Sequence, residues 1–254
     1  MTKKVGLKLT TSWDDGHPLD DRLADLLMRH GVRATFYVPG ENCEQRDVMS
    51  TAALRALHTQ FQIGSHTRTH ANLKTLTSTA SAAEIRSGKA HLENQLGTAV
   101  DHFCYPGGGF NNAIAAQVRA AGFRYARTVK SFCTTRVFDP FQMPTTLQVF
   151  PHTKADYFRN FLRYGHRAHR AKPFLLALSK AKLVDRLVAL AELAHDQNGC
   201  LHIWGHSWEL EAVGLWASVD EALSVIVGSF DVQHVDNAAE TVCKTPPSPQ
   251  RVVS

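Results

Sequence analysis

Two histidines and two aspartates are the residues of this sequence best suited to chemistry. His66 and His70 stand i, i+4 in Ser65-His66-Thr67-Arg68-Thr69-His70, a spacing that on a helical turn brings both rings to one side. A carboxylate from the end of a separate strand would complete a set of two imidazoles and one carboxylate, with a coordination position left for water. Such a set lets a hydrolase generate hydroxide at neutral pH. Asp14 and Asp15, in Ser12-Trp13-Asp14-Asp15-Gly16, are the carboxylates on offer. Adjacent carboxylates repel unless a cation or a proton relieves them. Asp-Gly is also a common loop signal, so the doublet alone reads equally well as a turn.

The histidine pair alone carries little weight. With 14 histidines in 254 residues, roughly one i, i+4 pair is expected by chance. A second pair, His202 and His206, falls in and after Cys200-Leu201-His202-Ile203-Trp204-Gly205, an apolar run of strand type. Along a strand these two point the same way but stand ~13 Å apart, too far to share an ion. Spacing excludes that pair and keeps His66 and His70.

The elements that must position these residues alternate regularly. Val5 to Trp13 is β-prone and delivers Asp14, Asp15 and Gly16 where the chain turns. Pro18 to His30 places Leu19, Leu23, Leu26 and Leu27 on one helical face and ends at Gly31. Ala34 to Val38 is a buried-strand type, and Ser50 caps a helix through Leu54 and Leu57. Phe61 to Ser65 is a strand delivering His66, and Ala80 to Leu96 a helix closed by Gly97. Val100 to Tyr105 is a strand, and Asn112 to Ala121 a helix ending at Gly122. Tyr125 to Val129 and Gln148 to Phe150 read as later strands. Such alternation implies parallel strands with helical crossovers, in an α/β fold whose active groups gather at the carboxyl ends of the strands. Asp14, Asp15, His66, Gly107 and His206 all follow predicted strands.

From residue 154 to 195 the rhythm changes to a basic helical insertion. Arg159, Arg163, Arg167, Arg170 and Lys172 alternate with Phe158, Phe161, Leu162 and Tyr164, and Leu175 to Leu193 reads as one long amphipathic helix. A basic amphipathic stretch can dock on anionic lipid, but a solvated helix face covering the barrel is the favoured reading. Residues 245–254 are polar and proline-rich, of a composition that stays disordered.

Length, a hydrophobic content of 44%, a charged content of 20% and a net charge of +5 suit one large globular domain, expected over residues 1–244. No clustered basic stripe with stacking aromatics marks a nucleic-acid binder. Without a signal-peptide pattern or a long apolar run, a cytoplasmic protein is expected. The five cysteines lack metal-type C-x-x-C spacing. Oligomeric state leaves no signal.

Thr11-Ser12-Trp13-Asp14-Asp15-Gly16 and Ser65 to His70 together resemble the first two motifs of the polysaccharide deacetylases, the NodB-homology enzymes of carbohydrate esterase family 4. Phe103-Cys104-Tyr105-Pro106-Gly107-Gly108 resembles the family's third motif, and Leu201-His202-Ile203-Trp204-Gly205-His206-Ser207-Trp208 its last. The blocks occur in family order over most of the chain. The resemblance implies a single-domain irregular (β/α)7-type barrel, with Asp15, His66 and His70 as metal ligands. It also implies Asp14 as catalytic base and His206 as the acid that protonates the leaving amine. Asp14 as an orienting residue, and His202 as the acid, are the alternatives. Gly107 would offer its backbone N–H to an oxyanion, and Trp208 is the foremost candidate for a pocket wall among Trp204, Trp208 and Trp216.

This chain departs from the family pattern in three places. Cys104 stands where the third motif has an arginine that tunes the base; Arg127, at the end of a strand, is the candidate replacement, unless it binds substrate. The aromatic residue usual at the position of Gly107 is missing, which implies a wider opening. The aspartate-tryptophan motif is not evident. The expected activity is removal of N-acetyl or another small acyl group from an amino sugar or its polymer. Zinc is the first choice of ion, with cobalt, nickel and iron also suited to such a site. The alternatives are a hydrolase of cyclic imides, ureides or other small amides, and a non-catalytic saccharide- or lipid-binding module.

Overall fold

The computed structural model describes residues 4–135, 139–235 and 237. Its elements run β1 (Lys4–Asp14), α1 (Asp20–Arg29), β2 (Ala34–Val38), α2 (Thr51–His58), β3 (Gln62–Ser65), α3 (Ser78–Leu96), β4 (His102–Cys104), α4 (Asn112–Ala120) and β5 (Tyr125–Arg127). They continue with β6 (Leu147–Gln148), α5 (Lys154–Arg163), α6 (Arg167–Ser179), α7 (Leu183–Asp196), β7 (Cys200–Gly205), α8 (Ser207–Ala212), α9 (Trp216–Ser229) and β8 (Phe230–His234). All the strands pair in parallel, in the order β5-β4-β3-β2-β1-β7-β6, with β8 beside β1. The sheet curls into an open barrel wall with helices outside it, an α/β fold of the (β/α)7 type. The proline-rich segment and the boundary expected at residue 244 lie outside the described residues.

β1 organises the sheet. Its first half pairs with β8, its second half with β2, and Lys8 to Trp13 with β7. Because its neighbours cover it, Leu7, Leu9 and Trp13 are buried to 1% exposure or less, each worth about 1.5–3 kcal/mol of burial. β2 is buried along its whole length, as its unbroken Ala-Thr-Phe-Tyr-Val run requires of a strand covered on both faces. In a parallel sheet every strand ends on the same rim, so Asp14, Ser65, Cys104, Arg127 and Gly205 finish there together.

The helix signals act where the sequence places them. Ser50 accepts from Ala53 N at the start of α2, and Gly97 closes α3 at φ 72°. The long helix expected from Leu175 to Leu193 is instead two, α6 and α7, parted at residues 180–182. Apolar periodicity runs through the break, but the backbone extends at Lys180 and Lys182. Arg186 of α7 then donates to the carbonyls of Ala177 and Lys180 at 2.8 and 2.7 Å, satisfying acceptors the helix end exposes. Among the described residues no helix is long and apolar enough to cross a membrane.

Candidate active site

The histidine pair comes together on a loop rather than on the helical turn expected. His66 follows β3 directly, and Thr67 and His70 both adopt positive φ, at 70° and 58°, which a helix forbids. Glu84 of α3 holds the loop, accepting from Arg68 N and Thr69 N at 3.1 and 2.9 Å. Gly88 of α3 lets the loop in: a Cβ there would lie 2.5 Å from the carbonyl carbon of Thr67. His66 Nδ1 donates to the Cys104 carbonyl at 2.9 Å, which leaves Nε2 with its lone pair. Burial lowers the pKa of His66 to about 4, so the ring is neutral, as a ligand must be.

Asp15 turns toward these rings. At φ 81° it occupies a backbone region uncommon outside glycine, and its Oδ1 lies 3.1 Å from His70 Nε2 and 3.8 Å from His66 Nε2. That oxygen is buried without a well-formed hydrogen bond, while Oδ2 accepts from Trp208 Nε1 at 2.9 Å. One ligand atom from each of Asp15, His66 and His70 lies within 4.8 Å of the others. An unsatisfied buried oxygen facing two imidazole nitrogens fits a divalent ion of zinc type. Asp14, His66 and Cys104 lie equally close together, but burial pushes the Cys104 thiol well up, and a neutral thiol is a poor ligand.

Asp14 is held differently. Its Oδ1 accepts from Arg127, which is wholly buried beneath it, and the Cys104 thiol lies 3.7 Å from Oδ2. Burial works to raise the pKa of Asp14; Arg127, His66 and His206 outweigh it and hold the carboxyl below its ordinary value. Arg127 sits over the faces of Tyr37 and Trp204, 5.2 and 4.8 Å from their centroids. It does not line the cleft, so it is a partner of Asp14 rather than a contact for substrate.

His206 follows β7 on the same rim. Its Nδ1 lies 2.6 Å from Glu209 Oε2. Burial lowers the ring's pKa, but Glu209, Asp15 and Asp14 overcome this and raise it to about 9, so the imidazole is protonated at neutral pH. His202 is buried inside β7, 2.8 Å from Ser12 Oγ, and is absent from the cleft lining.

A cleft of about 360 Å3 opens over this group, lined by Asp14, Asp15, His66, His70, Gly107 and His206 among others. Gly107, at φ 57°, has nothing within 4 Å of where a Cβ would stand, the open edge expected from the missing aromatic. Trp204 and Trp208 line the cleft; Trp216 does not, and instead meets Arg22 and Glu211. One face of Trp208 is covered by the Arg46 guanidinium, 4.1 Å from its centroid. Three contributions escaped the sequence reading: Glu209, Arg46 and the α5 wall of the cleft. Glu209 had a local signal, the i, i+3 spacing from His206 at a helix start; the other two had none.

Comparisons with known proteins match the N-terminal part of the sequence and the fold. Residues 4–126 match the family model for polysaccharide deacetylase. A chitin deacetylase from Pestalotiopsis sp. is 38% identical over 86 residues, 34% of this chain and 28% of that protein. The matched stretch thus spans less than a third of that relative. The structure of the chitin deacetylase from Colletotrichum lindemuthianum superposes with a TM-score of 0.57 at 17% identity, over 96% of this chain and 92% of that one. A family 4 acetyl xylan esterase from Clostridium thermocellum, solved in complex with a cobalt ion, gives 0.55 at 18% identity, over 92% and 89%. At such identities the superpositions speak for the fold. The class the geometry defines is an α/β barrel wall carrying a carboxylate–imidazole–imidazole set on its rim. Within that scaffold, residues 4–126 are similar to the polysaccharide deacetylase family.

Proposed function

We propose that this protein is a metal-dependent hydrolase that removes N-acetyl or another small acyl group from an amino sugar, oligosaccharide or polysaccharide. The reading is carried by one observation. A single cleft holds a carboxylate kept ionised by a buried guanidinium, a histidine kept protonated by a carboxylate, and a separate set of two imidazoles and a carboxylate.

Asp15, His66 and His70 are the residues that would hold the ion, with zinc the first choice and cobalt, nickel or iron suited to the same donors. Such an ion supplies Lewis acidity toward the acyl carbonyl and an acidified water. Asp14 then acts as the base that takes the proton from the attacking water; ionised under Arg127, it is free to accept one. His206, charged through Glu209, gives a proton to the departing nitrogen, without which an amine is a poor leaving group. The N–H of Gly107 faces the developing oxyanion. Trp204 and Trp208 wall the sugar.

The test separates base from ligand. Acetate release from N-acetylglucosamine oligomers by the zinc-loaded chain is expected to fall by about 10²–10⁴-fold in Asp14→Asn with zinc content unchanged. Asp15→Asn is expected to lose the zinc itself. Equal rates for wild type and Asp14→Asn overturn the base assignment. Turnover of small cyclic amides in place of oligomers selects the imide and ureide reading. Zinc binding with no hydrolysis across amides and esters selects a binding module.

A further inference from the structure

The basic stretch that reads as a membrane-facing or solvated helix divides its arginines between two tasks. Arg170, 1% exposed, points inward from α6. It donates to the carbonyls of Asn160, Phe161 and Tyr164, at 3.0, 3.0 and 2.9 Å, and to that of Ser131 at 2.8 Å. One guanidinium therefore takes up the open carbonyls at the end of α5 and ties them to the 129–131 segment of the cleft edge. Tyr157, buried at 2% exposure, and Phe161, stacked on Phe174 at 4.3 Å, seat the other side of α5. The helix is a fixed wall.

What that wall shows the cleft is Asn160 and Arg163, i and i+3 on one helical face. Other charges of the lining are matched locally: Arg46 with Glu44, His206 with Glu209, Asp15 with His70, and Asp14 with Arg127 beneath it. Arg163 has no carboxylate or carbonyl partner among the described residues; its guanidinium only lies 5.5 Å from the Tyr164 ring. Nor does the Asn160 side chain meet a hydrogen-bond partner among them. A guanidinium with spare donors on a packed helix, beside an amide, is suited to an oxyanion.

We infer that Arg163 and Asn160 form an anion subsite, and that the substrate is an acylated amino sugar bearing a carboxylate or a phosphate group away from the acyl nitrogen. The inference rests on the hydrolase reading for the acyl sugar but not for the anion. Substrate docking there places the charge on the α5 wall while the amide lies over Asp15, His66 and His70. A bidentate contact at a partly exposed site is worth on the order of tenfold in affinity, and added salt weakens it.

Calorimetric titration of the zinc-loaded chain tests this, in the Asp14→Asn background so that no turnover intervenes. The ligands are N-acetylglucosamine, N-acetylglucosamine 6-phosphate and N-acetylmuramic acid, the last two separating phosphate from carboxylate. At least one charged sugar is expected to bind about tenfold tighter than the neutral one. That ratio falls to near one in Arg163→Gln, is partly kept in Arg163→Lys and is fully kept in Arg159→Gln, whose guanidinium pairs with Asp156 instead. Equal affinity for all three sugars, an unchanged ratio in Arg163→Gln, or no measurable binding of either charged sugar overturns the inference. The hydrolase reading fails separately, if wild type releases no acetate from any of the three while the charged-sugar preference stands.

Discussion

Asp14 and Asp15 share one strand end and differ only in what the fold sets around them. Asp15 faces two imidazoles; Asp14 rests on a guanidinium. Arg127→Met tests the second arrangement. The pKa of Asp14 is depressed in the folded chain, so its stabilising contribution is present above the unfolded value and is lost as pH falls through the folded one. Removing the cation raises the folded pKa, and the acid limb of kcat/KM is expected to move to higher pH. In the metal-free protein the change should also cost about 3–5 kcal/mol, because a buried charge loses its partner. An unchanged pH–rate profile would remove Arg127 from the account. His206 runs the other way. With its pKa raised to about 9, its contribution to stability is complete below the unfolded value and is lost as pH rises through about 9. Proton NMR titration of the metal-free chain should show the ring charged at neutral pH, and Glu209→Gln should bring its midpoint down by a unit or more. A midpoint that stays put sinks the pairing.

At the scale of elements, the loop from His66 to His70 and the α5 wall show the same device. Irregular backbone is fixed by a polar side chain of an adjoining helix: Glu84 takes two N–H groups of the loop, and Arg170 takes five carbonyls. Each unmet buried acceptor costs about 1–3 kcal/mol. Arg170→Met is therefore expected to destabilise the chain by about 2–4 kcal/mol in urea unfolding, whereas Arg159→Met, on the exposed side of α5, should change it by less than about 0.5 kcal/mol. Equal effects of the two would deny Arg170 its clamp.

At the scale of the whole molecule, one buried carboxyl ties stability to pH. Asp20 opens α1 with 0% exposure, and burial raises its pKa well above the ordinary value. A helix N-terminus favours a carboxylate by about 0.3–1 kcal/mol, up to ~2; several kcal/mol of desolvation outweigh that. The group's stabilising contribution is then complete below its unfolded pKa of about 3.9 and is lost as pH rises toward the folded one. Asp20→Asn, which cannot ionise, is expected to gain stability over wild type between acid and neutral pH, read from urea midpoints at several pH values. A difference that stays flat with pH contradicts the assignment.

Local pattern marked the strands that deliver the candidate residues and the caps between, and motif resemblance singled out Asp15, His66 and His70 among them. Side-chain period, helix-stop glycines and the His66–His70 spacing are all encoded within a few residues, and parallel alternation sends every strand end to one rim. Tertiary structure decided the rest. The histidines meet through two positive-φ residues rather than a helical turn, and apolar periodicity ran on past the break between α6 and α7. The residue beneath Asp14 lies 113 positions away in the chain, and Arg170 reaches back 39 to Ser131. Such pairings depend on how elements pack, and no nearest-neighbour preference encodes them. That is why an arginine in a basic helix could be read as a membrane contact until the fold turned it inward and left its neighbour facing the cleft.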